Sequence, residues 1–174
     1  MVERHAPIVE STPLRLVWPD EQATQAWAAA LAAHLARWPG ASDACIALRG
    51  DLGAGKTTFV RHLLRACAVQ GRIKSPTYAV VEPHQGRLGG QPWPIWHFDF
   101  YRFNDPREGE DAGFRDIFAG PGLKLMEWPD KVAGHLPPPD WEMAIEALDE
   151  SAREVQLRPR TARGLRWLEA LRAA

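Results

Sequence analysis

Gly50-Asp51-Leu52-Gly53-Ala54-Gly55-Lys56-Thr57 matches G-x-x-x-x-G-K-[ST], the spacing of a loop that wraps phosphate groups. Its flanks agree. Ala44 to Arg49 is a short, mostly apolar run suited to a buried strand, and Lys56 to Val69 carries Phe59, Val60, Leu63, Leu64 and Cys67 at helical spacing. Strand, glycine loop and helix, in that order, is the arrangement such a loop needs. Glycines let main-chain N–H groups close around phosphate oxygens, and the helix start adds the positive end of its dipole. On this basis Gly50, Asp51, Leu52, Gly53, Ala54 and Gly55 form the cradle and Lys56 reaches the β- and γ-phosphates. The Thr57 hydroxyl is expected to ligate Mg²⁺, and Thr58 to sit near the α-phosphate.

A length of 174 residues suits one domain, and a formal net charge of −1 gives no global sign of a nucleic-acid or membrane partner. No apolar run approaches the roughly 20 residues of a membrane span. The opening MVERHAPIVE lacks the apolar core of a signal peptide, so a cytoplasmic location is expected. Cys45 and Cys67 fall on the strand and helix beside the loop, where reduced, buried thiols are expected. The six histidines show no paired metal-ligand spacing; His97, two residues before Asp99, reads as a packed or partly exposed strand residue.

Leu14 to Trp18 reads as a strand, and Asp20 caps a helix whose apolar stripe is Trp27, Leu31, Leu35 and Trp38, stopped by Gly40. Beyond Gly71, the segment Arg72 to Tyr78 is an extended connection containing Ser75-Pro76-Thr77. Tyr78 to Glu82 and Ile95 to Tyr101 read as antiparallel strands joined by a surface loop from Pro83 to Pro94. Asp99 interrupts the second of these, either paired with Arg102 or serving a site. After a polar loop from Asn104 to Gly109, a short helix runs through Phe114, Ile117 and Phe118 to Gly120. Gly122 to Trp128 is a strand with Glu127 at its carboxyl end, where ligands of open α/β sheets sit. Trp141 to Leu148 and Arg153 to Leu157 form strands about the turn Asp149-Glu150-Ser151. Thr161 to Arg172 is the helix of a C-terminal extension spanning about 160–174. Six arginines between Arg153 and Arg172 make either a solvated basic face or a contact for RNA or an acidic partner. Together these elements predict a single α/β domain over residues 1–174, of the P-loop NTPase kind, with a mixed sheet, helices on both faces and an antiparallel hairpin.

In order, the stretches PDEQAT, GDLGAGKTTF, KSPTY-x-VVEP, HFD-x-YR and LMEWPDK closely resemble the bacterial TsaE family, formerly YjeE. Its members are small ATPases needed to make threonylcarbamoyladenosine at position 37 of tRNAs. The likeness runs from about Pro19 to Arg153. It implies that Gly53 to Thr58 hold the phosphates of ATP, that Thr57 and Glu127 hold Mg²⁺, and that Asp99 supports hydrolysis; Lys56, Asp99 and Glu127 are the candidate catalytic residues, and the sequence does not divide the positioning of water between the two carboxylates. Ser75-Pro76-Thr77 would act as a switch, with Thr77 among the nucleotide contacts, and Trp128 would shape the site. Glu21, Asp130 and Arg153 match positions that approach the nucleotide in relatives. The implied partners are TsaD and TsaB, with tRNA reached through that complex. Gly86 to Trp93 and Glu108 to Asp116 depart from the family pattern and bear on partner contacts more than on ATP. Two other functions fit the same loop: a small-molecule kinase, or a nucleotide-dependent binding module that hydrolyses little by itself. Against the kinase, the loop follows an additional strand and helix, whereas such enzymes commonly carry it on their first strand.

Overall fold

A computed structural model describes residues 11–174; the expectation drawn from MVERHAPIVE lies outside them. The elements run β1 (Leu14–Trp18), α1 (Glu21–Leu35), β2 (Cys45–Arg49), α2 (Lys56–Ala66), β3 (Val81–Leu88), β4 (Gln91–Asp99), α3 (Glu108–Asp111), α4 (Phe114–Ala119), β5 (Leu123–Glu127), β6 (Trp141–Ala147), β7 (Arg153–Pro159) and α5 (Ala162–Arg172). All seven strands join one sheet in the order β1-β7-β6-β2-β5-β4-β3. Its centre, β6-β2-β5-β4, is parallel, while β7, β1 and β3 pair antiparallel with their neighbours.

Alternation along β2 assigns its side chains to two cores, because successive residues of a strand point to opposite faces. Ile46 and Leu48 join Leu31 and Leu35 of α1, Phe59, Leu63 and Leu64 of α2, and Leu168 of α5. Cys45 and Ala47 join Phe98, Phe100, Phe114 and Met126 on the other side. The sheet is therefore covered on both faces, as the parallel centre requires. Capping fixes where helices begin: Asp20 accepts from the Ala23 N–H at 2.8 Å, and Thr161 from the Gly164 N–H at 3.1 Å. Trp38 lies just past α1, stacked between His34 and Trp167, so the last helix docks into the core through Trp167 and Leu168. Among the described residues no helix is long and apolar enough to cross a membrane.

The stretch Pro83 to Pro94 is not a surface loop. It forms most of a hairpin whose strands are joined by Gly89 and Gly90, with φ of 56° and 82°. Two successive positive φ angles make the tight turn that matches strand twist, and glycine adopts them without strain. The prolines are tolerated for a reason of register. The Arg87 N–H points away from β4 to the Cys67 carbonyl at 2.7 Å, so Arg87 and Pro92 face each other without exchanging hydrogen bonds. With a period of two, the pairs Gln85–Pro94 and Pro83–Trp96 share that property. Pro92 and Pro94 also lie beyond the end of β5, whose pairing with β4 starts at Ile95. Tyr78 and Ala79, expected in the first strand, belong instead to the turn that precedes β3.

Candidate active site

The chain leaves β2 at Gly50, where a Cβ would lie 2.4 Å from the Ile145 carbonyl oxygen, so the turn tolerates only glycine. Lys56 opens α2 and is 5% exposed. Its ammonium donates to the carbonyls of Gly50 and Asp51, the latter at 3.0 Å, and lies 4.2 Å from the centre of the Trp128 ring. Burial pulls the Lys56 pKa down, while Glu127, Asp99 and Asp51 draw it back toward the charged form. Trp128 holds φ at 60°, a costly conformation for a bulky residue and one that clusters at functional sites. It turns the chain from β5 into the single 3₁₀ turn Pro129–Val132 and sets the indole over Lys56.

Parallel pairing of β4 with β5 puts Asp99 directly beside Glu127, both at carboxyl strand ends and both buried. The Thr57 hydroxyl donates to Glu127 Oε1 at 2.8 Å and lies 3.2 Å from Oε2. The Ser75 hydroxyl contacts Asp99 Oδ2 and, at 3.1 Å, Glu127 Oε2; having one proton, it serves one carboxylate at a time. Asp99 Oδ1 accepts the Tyr101 N–H at 2.9 Å. Arg102 does not pair with Asp99: its guanidinium sits 4.1 Å over the Tyr78 ring.

The two carboxyls are driven apart in acidity. Burial pushes Asp99 up, helped by the charge of Glu127 and opposed by Ser75 and the Tyr101 N–H. Burial also acts against the Glu127 charge, but His97, Thr57 and Ser75 outweigh it and hold that carboxyl below the ordinary range. His97 was expected as a packed or partly exposed strand residue. It is fully buried, its Nε2 lies 3.4 Å from Glu127 Oε1, and its Nδ1 has no partner among the described residues. The signal available in the sequence was the His-x-Asp spacing, which puts both side chains on one face of a strand.

A cavity of about 320 Å³ opens over these groups. Leu52, Gly53, Gly55, Lys56, Thr57, Thr58, Thr77, Asp99, Glu127, Trp128 and Arg153 line it, joined by Ser75 and Tyr101. Arg153 Nε donates to the Ala54 carbonyl at 2.7 Å and buttresses the loop from β7. Glu21 and Asp130 do not line the cavity: Glu21 faces His62 of α2 at 2.9 Å, and Asp130 pairs with Arg49. Among the described residues no group of three or more His, Cys, Asp or Glu side chains is arranged to hold a metal. The oxygen set around Thr57 and Glu127 nonetheless suits Mg²⁺, a hard cation that keeps several waters and needs only one or two protein oxygens beside substrate phosphates.

A parallel-centred sheet with a glycine-rich loop between its central strand and a helix, facing an acidic group on the neighbouring strand, defines a P-loop NTPase fold. The model for the family "Threonylcarbamoyl adenosine biosynthesis protein TsaE" matches residues 18–155, and the chain belongs to the TsaE family. Its relatives include the tRNA threonylcarbamoyladenosine biosynthesis protein TsaE of Haemophilus influenzae, 42% identical over 123 residues covering 71% of this chain and 75% of that one. The protein of the same name from Bacillus subtilis is 33% identical over 110 residues, 63% of this chain and 66% of its own. In fold the chain is similar to the crystal structure of Bacillus subtilis YdiB, with a TM-score of 0.70 at 24% identity over 94% of this chain and 98% of the other.

Proposed function

We propose that the chain binds MgATP over Gly50 to Thr58 and hydrolyses it in the cytoplasm, as an accessory to threonylcarbamoyladenosine formation at position 37 of tRNA with TsaB and TsaD. The observation that carries the ATPase part is the convergence of Lys56, Thr57, Ser75, Asp99 and Glu127 on one cavity above the glycine loop. Main-chain N–H groups of the loop and the start of α2 hold phosphate oxygens, and Lys56 neutralises charge on the outer phosphates. Thr57 and Glu127 would hold Mg²⁺, which when bound would supply further charge compensation on the phosphates. Asp99, the carboxyl that burial makes more basic, orients water and accepts its proton.

Hydrolysis by the isolated chain is expected to be slow, because the arginines near the cavity are already engaged. Arg153 is bound to the carbonyls of Ala54, Asp149 and Ala152, and Arg102 is stacked on Tyr78. Leu52 and Tyr78, 69% and 86% exposed, offer a partner apolar surface on the glycine loop and just after the switch segment. The test is phosphate release from ATP with and without TsaB, TsaD and tRNA. A marked increase with all three supports the accessory role, and equal rates count against it. Transfer of phosphate to a small hydroxyl acceptor would establish the kinase instead.

A further inference from the structure

A second opening, of about 430 Å³, lies beside α2. Arg61 and Arg65, four residues apart on that helix, form one side. Arg72 and Lys74 form the other, exposed on either side of buried Ile73 in the connection that follows α2. Ser75 completes the lining. No carboxylate lines this opening, and none of its four cations has an ion-pair partner among the described residues. Arg65 does donate to the carbonyls of Val69, at 3.0 Å, and Gly71, which ties the end of α2 to the connection without neutralising the charge. Elsewhere Arg49, Arg160 and Arg163 each hold a carboxylate. Four uncompensated cations around one opening repel each other and attract a polyanion.

We propose that this opening binds the phosphodiester backbone of RNA, an inference that rests on the accessory role in tRNA modification. Guanidinium groups present forked N–H donors that match phosphate oxygens, and three of the four cations are arginines. Among the described residues the lining holds no aromatic ring on which a base could stack, so the contact is to backbone and independent of sequence. Its volume is in the range that accommodates ligands much larger than one phosphate ion, so neighbouring phosphates share it. Ser75 lines both openings and contacts Asp99 and Glu127, which sets the RNA backbone against the first residue of the Ser75-Pro76-Thr77 switch.

The test is fluorescence anisotropy of labelled tRNA with the full chain and with Arg72→Ala/Lys74→Ala, across a salt series. Both side chains are exposed, and circular dichroism melting checks that the variant is folded. The double variant is expected to bind roughly tenfold more weakly near 0.1 M salt, for any RNA sequence, with the salt slope reduced by about one per cation removed. Unchanged affinity and slope overturn the proposal. So does displacement of RNA by inorganic tripolyphosphate that itself binds more tightly than RNA, which would assign the opening to free polyphosphate. Loss of TsaB and TsaD stimulation with RNA binding intact would assign the cations to an acidic protein surface, again against the proposal. Anisotropy needs no ATP turnover, so failure of the ATPase assay would sink the accessory reading and leave the RNA result to be judged separately.

Discussion

Asp99 and Glu127 stand side by side, yet their surroundings shift them in opposite directions, Asp99 up and Glu127 down, and on the proposed mechanism this divides the work between them. Asp99→Asn keeps size and hydrogen bonding but removes a proton acceptor. ATP turnover is expected to fall roughly 10²–10⁴-fold with ATP affinity little changed. A large affinity loss at normal maximal turnover would contradict the water-orienting role. Glu127→Ala should raise the Mg²⁺ concentration needed for nucleotide binding in a titration followed by a fluorescent ATP analogue; an unaltered Mg²⁺ dependence would remove Glu127 from the metal shell. Lys56→Ala is expected to abolish measurable binding in the same assay. Lys56 and Thr57 were legible from a local motif, and Glu127 from its position at a strand end. The bridge from Ser75 to residues 24 and 52 positions away was not, nor was the contact of His97 with Glu127, because both depend on strand register that no local pattern specifies.

At the scale of elements, most strands and helices followed from period and capping, whereas the β3–β4 hairpin did not. Its prolines and glycines carry the composition of a loop, and only the alternation of hydrogen-bonded and free positions lets prolines sit in paired strands. Strand pairing also creates a three-element charge link. Glu142 on β6 receives Arg49 of β2 at 3.1 Å and Arg160, just past β7, at 2.7 Å. Burial disfavours the Glu142 charge, but the two guanidinium groups prevail and hold its pKa below the ordinary glutamate value of about 4.3. A carboxyl depressed on folding stabilises the protein above its unfolded pKa, and that contribution disappears as pH falls through the folded value. Glu142→Gln should therefore cost about 1 kcal/mol in urea unfolding at pH 7 and progressively less below about pH 4. A penalty that stays constant down to pH 3 would point to packing rather than charge.

For the molecule as a whole, the two free cysteines report on the two faces of the sheet separately. Cys67 packs in the core shared by α1, α2 and α5, and Cys45 in the aromatic core on the opposite side. Burial pushes both thiols up to about 12, with the charge of Asp140 adding to the rise at Cys45. An unfolded cysteine titrates near 8.5, so above that pH the unfolded chain gives up protons the folded one keeps. Stability contributed by the protonated thiols is thus complete below about pH 8.5 and declines as pH rises toward 12. It also follows that iodoacetamide at pH 8 reacts only with opened molecules, since the thiolate is the nucleophile. If residues 11–174 unfold as one domain, both cysteines are expected to be alkylated at the same rate across a urea series, with the midpoint given by circular dichroism. Peptide mass spectrometry separates the two sites. Faster modification of Cys67 than of Cys45 would mean that the α1–α2–α5 layer opens on its own. The loop that carries Lys56, anchored to α2, would then move with that layer while Asp99 and Glu127 stay behind on the sheet.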